Sequence, residues 1–439
     1  MIQNLTQLYD DHLETVRRRH DRALEETGFD QLIVFGGAEH GIFLDDQPYP
    51  FKVNAHFKYW VPVLDNPNCF VVYTPGRKPL LLYFQPVDYW YKPAETPREL
   101  WVEHFDIRPI GSLADARKSL PANLERTAWI GEWDEQFADW GIEQRNPKAL
   151  IDRLHYDRSW KTDYEIEAVR EANRIAAGAH RAAEKAFRDG ASEYEIHITY
   201  LQAAAHSEAQ LPYPNIIALN ENAAVLHYQH QERSRPAEIH SFLIDDGATA
   251  YGYASDITRT YSARSDEFQE MITAFDAMQQ TLVDEVRPGL NYPDLHLLTH
   301  RRIGEILGRF DFVRDLDPET MTAKGITSTF FPHGVGHYLG LQVHDVAGFA
   351  ADREGTTIPK PEGHPYLRLT RVVEPRQLFT VEPGLYFIDS LLADLHASEN
   401  ARYVNWDKLD RFRRYGGIRI EDNIVVREDG HENLTRPFL

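Results

Sequence analysis

The sequence predicts an α/β (α+β) protein with a smaller N-terminal α/β domain over residues 1–157 and a larger C-terminal domain over residues 158–439. Three observations lead there. The chain has 439 residues, more than one ordinary domain. In its first third, short apolar runs at 31–35, 69–73, 80–84 and 128–131 are separated by Pro/Gly/Asp turns and helical pieces, the texture of strands in a mixed fold. Near Asp157 that texture gives way to a long run rich in Glu, Ala and Arg, TDYEIEAVREANRIAAGAHRAAEKAFRD, and the domain boundary is placed there.

The elements follow in order. Leu5, Leu8, Leu13 and Val16 recur near helical spacing, so residues 3–26 read as a helix that stops before Gly28. The stretch FLDDQPYPF, residues 43–51, is aromatic and Pro-rich for a loop and by itself reads as a packed surface loop. Residues 163–189 read as a helix with Thr162 or Asp163 as N-cap, and a second helix covers 192–207. Further helices are expected at 266–286 and 292–307. The chain shows no repeat at solenoid periods and no low-complexity tract.

Net charge is −21, which argues against an electrostatic grip on nucleic acid or on an anionic membrane. Cys69 is the single cysteine, so neither an intrachain disulfide nor a Cys-based metal site is expected. That composition fits a reducing compartment, and cytoplasmic localisation is expected. The N-terminus is charged and amphipathic, without the apolar core of a signal peptide. No apolar run approaches the roughly 20 residues of a membrane span.

The chemistry gathers around SFLIDDGATAYGYASDITRTY, residues 241–261. Asp245 and Asp256 lie symmetrically about Ala250 and Tyr251, and a hairpin turning there makes them cross-strand partners about 5 Å apart. Two ionised carboxylates that close repel each other, and a divalent cation relieves the conflict. The alternative is that Asp246-Gly247 is itself the turn and both acids face water. Downstream, FPHGVGHYLG places His333 and His337 among glycines, with His344 soon after. Glu382 follows a strand-like run in FTVEPGLY. In GGIRIEDNIVV, alternation puts Arg419 and Glu421 on one strand face and Ile418 and Ile420 on the other. That arginine is either a plain ion-pair partner or a holder of a substrate anion beside Glu421. Two Asp, one His and two Glu favour Mn²⁺, Co²⁺, Fe²⁺ or Zn²⁺, and four carboxylates exceed what one catalytic zinc needs. Two carboxylate-bridged ions, about 3.5–4 Å apart and holding a bridging hydroxide, would use them all.

The order Asp245, Asp256, His337, Glu382, Glu421 resembles the metal ligands of the pita-bread metallopeptidases, the creatinase/aminopeptidase fold. HGVGHYLGLQVHD, TVEPGLYF and GGIRIEDNIVV carry the likeness, which extends over essentially the whole chain and is strongest to bacterial Xaa-Pro dipeptidases (prolidases), close to organophosphorus acid anhydrolases. The resemblance implies a C-terminal pita-bread catalytic domain and hydrolysis of Xaa-Pro dipeptides with two divalent ions, Mn²⁺ first among them. It implies that Asp245 chelates one ion, that His337 and Glu382 chelate the other, and that Asp256 and Glu421 bridge them. Glu382 is also implied to shuttle the proton of the attacking water. His333 and His344 are implied to contact the scissile carbonyl and the developing oxyanion. His227 and Arg419, with Arg371 a weaker candidate, are implied to bind the substrate carboxylate. Tyr213 and Tyr292 would line side-chain pockets. Asp45, in the aromatic loop, would reach the site of a neighbouring subunit in a homodimer. A side activity on organophosphorus triesters is also implied. The alternatives are an Xaa-Pro aminopeptidase acting on longer peptides and a non-enzymatic peptide-binding module on the same fold. The module predicts lost ligands, and none is lost. A serine hydrolase lacks its G-x-S-x-G motif here, and a zincin its H-E-x-x-H.

Overall fold

In the computed structural model, which describes residues 4–439, the first apolar-periodic run forms the helix Leu5–Thr27. Residue 3, where the expected helix begins, lies outside the described residues. Gly28 ends the helix at φ 76° and donates its N–H to the carbonyls of Leu24 and Glu25, a left-handed cap that glycine adopts without strain. The buried stripe Tyr9, Leu13, Val16, Ala23 and Leu24 shows the periodicity doing what the sequence implied.

The chain divides into two compact units. The first comprises the described residues up to Arg158, with Thr162–Glu167 and Asp352–Thr356; the second holds Ser159–Lys161, Ala168–Ala351 and Thr357–Leu439. The first unit is built on a six-stranded sheet: β1 Gln31–Phe35, β2 Phe70–Tyr73, β3 Leu80–Phe84, β4 Asp106–Ile110, β5 Thr127–Ile130 and β6 Gln144–Arg145. Their order is β4-β3-β2-β1-β5-β6. β1 runs antiparallel to β2 and parallel to β5, and all five of its residues are buried. Phe35, Phe70, Trp129, Phe137 and Trp140 form the aromatic core against it. β4, which reads DIRPI, escapes the apolar-run criterion. It lies at the sheet edge, where a proline removes no ladder donor that the sheet needs.

In the second unit the strands are β7 Ile216–Leu219, β8 Ser241–Asp246, β9 Thr249–Ala250, β10 Tyr253–Ala254, β11 Ile257–Ser262, β12 Leu378–Val381, β13 Gly384–Tyr386, β14 Gly417–Arg419, β15 Asp422–Arg427 and β16 Gly430–Asn433. They form a β11-β8-β7 sheet, a β12-β15-β16 sheet and the pairs β13-β14 and β9-β10. A single bridge between Thr258 and Glu421 joins the first sheet to the segment linking β14 to β15. The helices Glu267–Asp284 and Tyr292–Arg309 contribute to one core with Phe379, Phe387, Ile418 and Ile424. The helix Asp163–Arg188 has Thr162 as its cap: Thr162 Oγ1 accepts from the Glu165 amide (3.3 Å), and Glu165 Oε2 accepts from the Thr162 amide (2.9 Å).

The hairpin needs a correction. It turns at Tyr251-Gly252, with φ 51° and 86°, and not at Ala250-Tyr251. The register therefore pairs Asp245 with Thr258. Asp256 falls in the gap between β10 and β11, where the Ser255 amide donates to Ala248 O. The shift is two residues, so both acids keep the same face. Asp246-Gly247 is not the turn: Asp246 closes β8, is buried, and accepts the Ile216 amide at 2.9 Å.

Candidate metal centre

Asp245 enters from β8, where strand alternation turns it away from the buried Ile244 and Asp246. Tyr213 reaches both acids of the hairpin, its hydroxyl lying 2.9 Å from Asp245 Oδ1 and 2.5 Å from Asp256 Oδ1. One phenolic proton cannot satisfy both, so the two carboxylates compete for it. Asp256 sits on irregular backbone that Asn423 fixes: Asn423 Oδ1 accepts the Asp256 amide at 3.1 Å, and Asn423 Nδ2 donates to its carbonyl at 2.5 Å.

His337 donates through Nδ1 to Tyr338 O at 2.9 Å, which leaves the Nε2 lone pair free to face the acids. Nε2 lies 3.4 Å from Asp256 Oδ2 and 3.5 Å from Glu382 Oε1. Glycine makes this approach possible, because a Cβ on Gly336 would lie 2.1 Å from Thr380 O and 2.2 Å from the Tyr292 hydroxyl. Thr380 Oγ1 in turn accepts the His337 amide and donates to Glu382 Oε1 at 3.3 Å. Glu421 closes the group: Oε2 accepts from Thr258 Oγ1 at 2.7 Å, while Oε1 is buried without a hydrogen-bond partner. One ligand atom each from Asp256, His337 and Glu421 lies within 4.8 Å of the others.

The electrostatics say the same. Burial pushes the Asp256 carboxyl up, with Asp245 adding repulsion. Burial pushes Glu382 up to about 7 and Glu421 well above the usual carboxylate range, with neighbouring acids adding to both. For His337, burial acts downward, but Asp256 and Glu382 outweigh it and the net shift is upward. An orphaned carboxylate oxygen beside acids that repel one another is what a divalent cation neutralises, and the donor set fits one or two such ions.

The other expected residues are placed as follows. Arg419 Nη2 donates to Asp245 Oδ2 at 2.6 Å, Nη1 to the Tyr386 hydroxyl at 2.7 Å and Nε to Thr258 Oγ1 at 3.2 Å. It shares a face with Glu421, since both meet Thr258. Its guanidinium is buried and engaged by these three partners. His333 donates through Nδ1 to Gly334 O and accepts at Nε2 from the Tyr386 hydroxyl, both at 2.8 Å, so both ring nitrogens have partners. Burial holds it neutral, down to about 3, with Arg419 adding to the shift. His344 stands edge-on to His337, ring centroids 4.4 Å apart, and is likewise pushed down to about 3, first by burial and then by His337. His227 is exposed.

Tyr292 departs from the expectation of a pocket-lining side chain. It is fully buried, donates to Thr380 O at 2.9 Å and packs edge-on against Phe379, so it braces β12 from behind. Arg371 is buried against Ser159, Glu374 and the Trp160 ring. Asp45 lies in an exposed turn beside Phe43 and Leu44, where its carboxylate accepts the Gln47 amide.

Four supporting residues went unread in the sequence: Thr258, Thr380, Tyr386 and Asn423. Period-2 counting could have flagged Thr258, which lies two residues beyond Asp256. A further network, invisible in sequence, holds the strand crossing. Asp422 is buried, accepts from Arg259 at 2.6 Å and from Arg436 at 2.7 Å, and Arg259 also donates to the carbonyls of Thr258 and Glu421.

A family model described as metallopeptidase family M24 matches residues 167–428, and one described as the Xaa-Pro dipeptidase N-terminal domain matches residues 7–156. The chain belongs to metallopeptidase family M24. It is 47% identical over 439 residues to an Xaa-Pro dipeptidase of Pseudoalteromonas atlantica, covering 99% of each chain. It is 48% identical over 435 residues to one of Shewanella oneidensis, again with 99% of each covered. Among solved structures it resembles Zn-substituted Escherichia coli aminopeptidase P in complex with product (TM-score 0.71, 23% identity, 96% of each chain). The low-pH form of that aminopeptidase gives TM-score 0.73 at 24% identity, over 97% of this chain and 96% of the other. These structures establish the pita-bread fold, and M24 membership implies a dinuclear divalent-metal site. The acids, His337 and the orphaned Glu421 oxygen fit that requirement. No helix among the described residues is long and apolar enough to cross a membrane.

Proposed function

We propose that this M24 metallopeptidase is an Xaa-Pro dipeptidase whose two divalent ions are held by Asp245, Asp256, His337, Glu382 and Glu421. The observation that carries the proposal is the buried convergence of these acids on one imidazole, in a chain 47% identical end to end to a curated Xaa-Pro dipeptidase. Asp245 would hold one ion, His337 and Glu382 the other, and Asp256 and Glu421 would contribute to both. Bound there, the ions supply a water of lowered pKa and Lewis-acid polarisation of the scissile carbonyl.

The chain's own residues do the rest. Glu382 moves a proton from the attacking water to the departing proline nitrogen. An Xaa-Pro bond is a tertiary amide without N–H, so the site must grip the carbonyl and the termini instead. His344, kept neutral by burial, offers an N–H to the carbonyl oxygen as charge develops. Arg419 is held on Asp245, and the exposed His227 meets the substrate carboxylate. The oxygen-rich donor set favours Mn²⁺. A homodimer in which Asp45 completes the partner's site and a cytoplasmic location, compatible with one buried thiol at Cys69, belong to the same reading. So does a side activity on phosphotriesters, whose geometry resembles the tetrahedral intermediate.

Glu382→Gln tests the ligand set. Proline release from an Xaa-Pro dipeptide should fall by about 10²-fold or more with circular dichroism unchanged. Near wild-type kcat with two metals bound would exclude the assignment.

A further inference from the structure

Behind the acidic centre lies a second cluster of ligating side chains that the proposed reaction does not use. His296 and His300 sit one turn apart on the helix Tyr292–Arg309, and His364 comes from the loop between Thr357 and Arg371. The three ring centroids form a triangle of 4.7 Å on every side. One ring nitrogen from each lies within 4.8 Å of the other two. His296 and His300 are each 1% exposed, and His364 is half-buried.

Hydrogen bonding leaves the cluster incomplete. His300 Nδ1 meets Thr327 Oγ1 at 3.0 Å, while its Nε2 is buried with no partner. His296 Nε2 and His364 Nδ1 share one hydrogen bond of 2.9 Å, while His296 Nδ1 is also buried and unpartnered. Two orphaned ring nitrogens in one small cluster are expensive for a core that only needed filling. Burial also keeps the rings neutral, pushing His300 down to about 3 with His364 adding to the shift. Neutral imidazoles are ligands and not repelling cations. The Thr327 hydroxyl fixes the His300 ring through Nδ1, and a hydrogen bond to the second ring nitrogen orients a metal-binding histidine.

We propose that His296, His300 and His364 form a third metal position, distinct from the acidic pair, that takes one borderline divalent transition ion such as Zn²⁺ or Ni²⁺. Three imidazoles select these ions over Mn²⁺ or Mg²⁺, which prefer oxygen. Zinc–nitrogen distances are about 2.0–2.1 Å, so binding draws the rings together, and the half-buried His364 is the one able to move. Binding would therefore pin the loop carrying His364 to the helix Tyr292–Arg309. The site also touches the acidic centre through one ring. Phe331 lies 5.1 Å from His300 and 4.7 Å from His333, which hydrogen-bonds Tyr386.

The full chain is equilibrated with excess Zn²⁺, dialysed, and its metal counted by mass spectrometry. Wild type should retain three equivalents, and His300→Gln and His364→Gln two each. Asp256→Asn, which damages the acidic pair, should still hold the equivalent that His364→Gln removes. His364 is half-buried on a loop, so its replacement leaves the core intact should His300→Gln fail to fold. Zn²⁺ should also slow proteolysis of the loop at 357–371 in wild type and not in His364→Gln. Two equivalents in wild type, or three in both histidine variants, would overturn the proposal.

Discussion

Replacing Arg419 with Lys separates two roles that the strand GGIRIEDNIVV leaves open. The guanidinium makes three bonds at once, to Asp245 at 2.6 Å, Tyr386 at 2.7 Å and Thr258 at 3.2 Å. A lysine ammonium is a compact charge on a flexible stem and cannot span the three. If it keeps Asp245, it forfeits the Tyr386 and Thr258 bonds, each lost buried bond costing about 1–2 kcal/mol. If it keeps Tyr386, Asp245 loses its charge-assisted partner, at about 1.5–3 kcal/mol. Across the two cases the ligand geometry loosens by about 1.5–4 kcal/mol, corresponding to about 12- to 900-fold in kcat/KM. Because the damage passes through Asp245, metal content should fall with activity, and excess Mn²⁺ should restore part of it. The assay is proline release from an Xaa-Pro dipeptide over a Mn²⁺ series, with metal counted after dialysis. Two tightly held metals and a loss confined to KM would refute the reasoning and return Arg419 to the substrate carboxylate.

Three other outcomes are expected. Thr258→Val removes the hydroxyl that Glu421 accepts and should weaken metal affinity by about 10- to 100-fold in a chelator competition, an unchanged affinity counting against it. Asp45→Ala should reduce turnover only if the protein is a dimer, so a fully active monomer in sedimentation would remove that role. His20, buried on Val16 O, is pushed down to about 4 by burial from an unfolded value near 6.5. Because the folded value is the depressed one, its contribution is present above pH 6.5 and is lost as pH falls toward 4. The slope is about 1.4 kcal/mol per pH unit for this group, and urea melts from pH 7.5 to 4.5 should show it flattened in His20→Gln.

Much of the fold was legible because its elements obey local rules. The first helix ends at a glycine, β1 and β3 are uninterrupted apolar runs, and Thr162 caps its helix through Glu165 three residues on. β4 was not legible, because an edge strand tolerates the proline and charges that mark a loop elsewhere. The acid hairpin was read two residues out of register: symmetry about Ala250-Tyr251 suggested the turn, whereas the left-handed pair Tyr251-Gly252 makes it. A two-residue error preserves the face, so Asp245 and Asp256 still meet. The supporting contacts were beyond reach. That Arg419 serves Asp245, that Tyr292 braces Thr380, and that Asn423 fixes Asp256 depend on strands distant in sequence converging. The histidine triangle was missed for the same reason, His364 lying 64 positions beyond His300.

The central claim, a metal-dependent dipeptidase specific for Xaa-Pro, is met most directly by release of the N-terminal residue from an Xaa-Pro dipeptide and from the matching Xaa-Pro-Xaa tripeptide. Each is measured with metal-stripped protein and again after reloading with Mn²⁺. The account predicts no turnover in stripped protein, recovery on reloading, and cleavage of the dipeptide far faster than of the tripeptide. Equal cleavage of both peptides would make the chain an aminopeptidase, and turnover undiminished by stripping would contradict the metal centre itself.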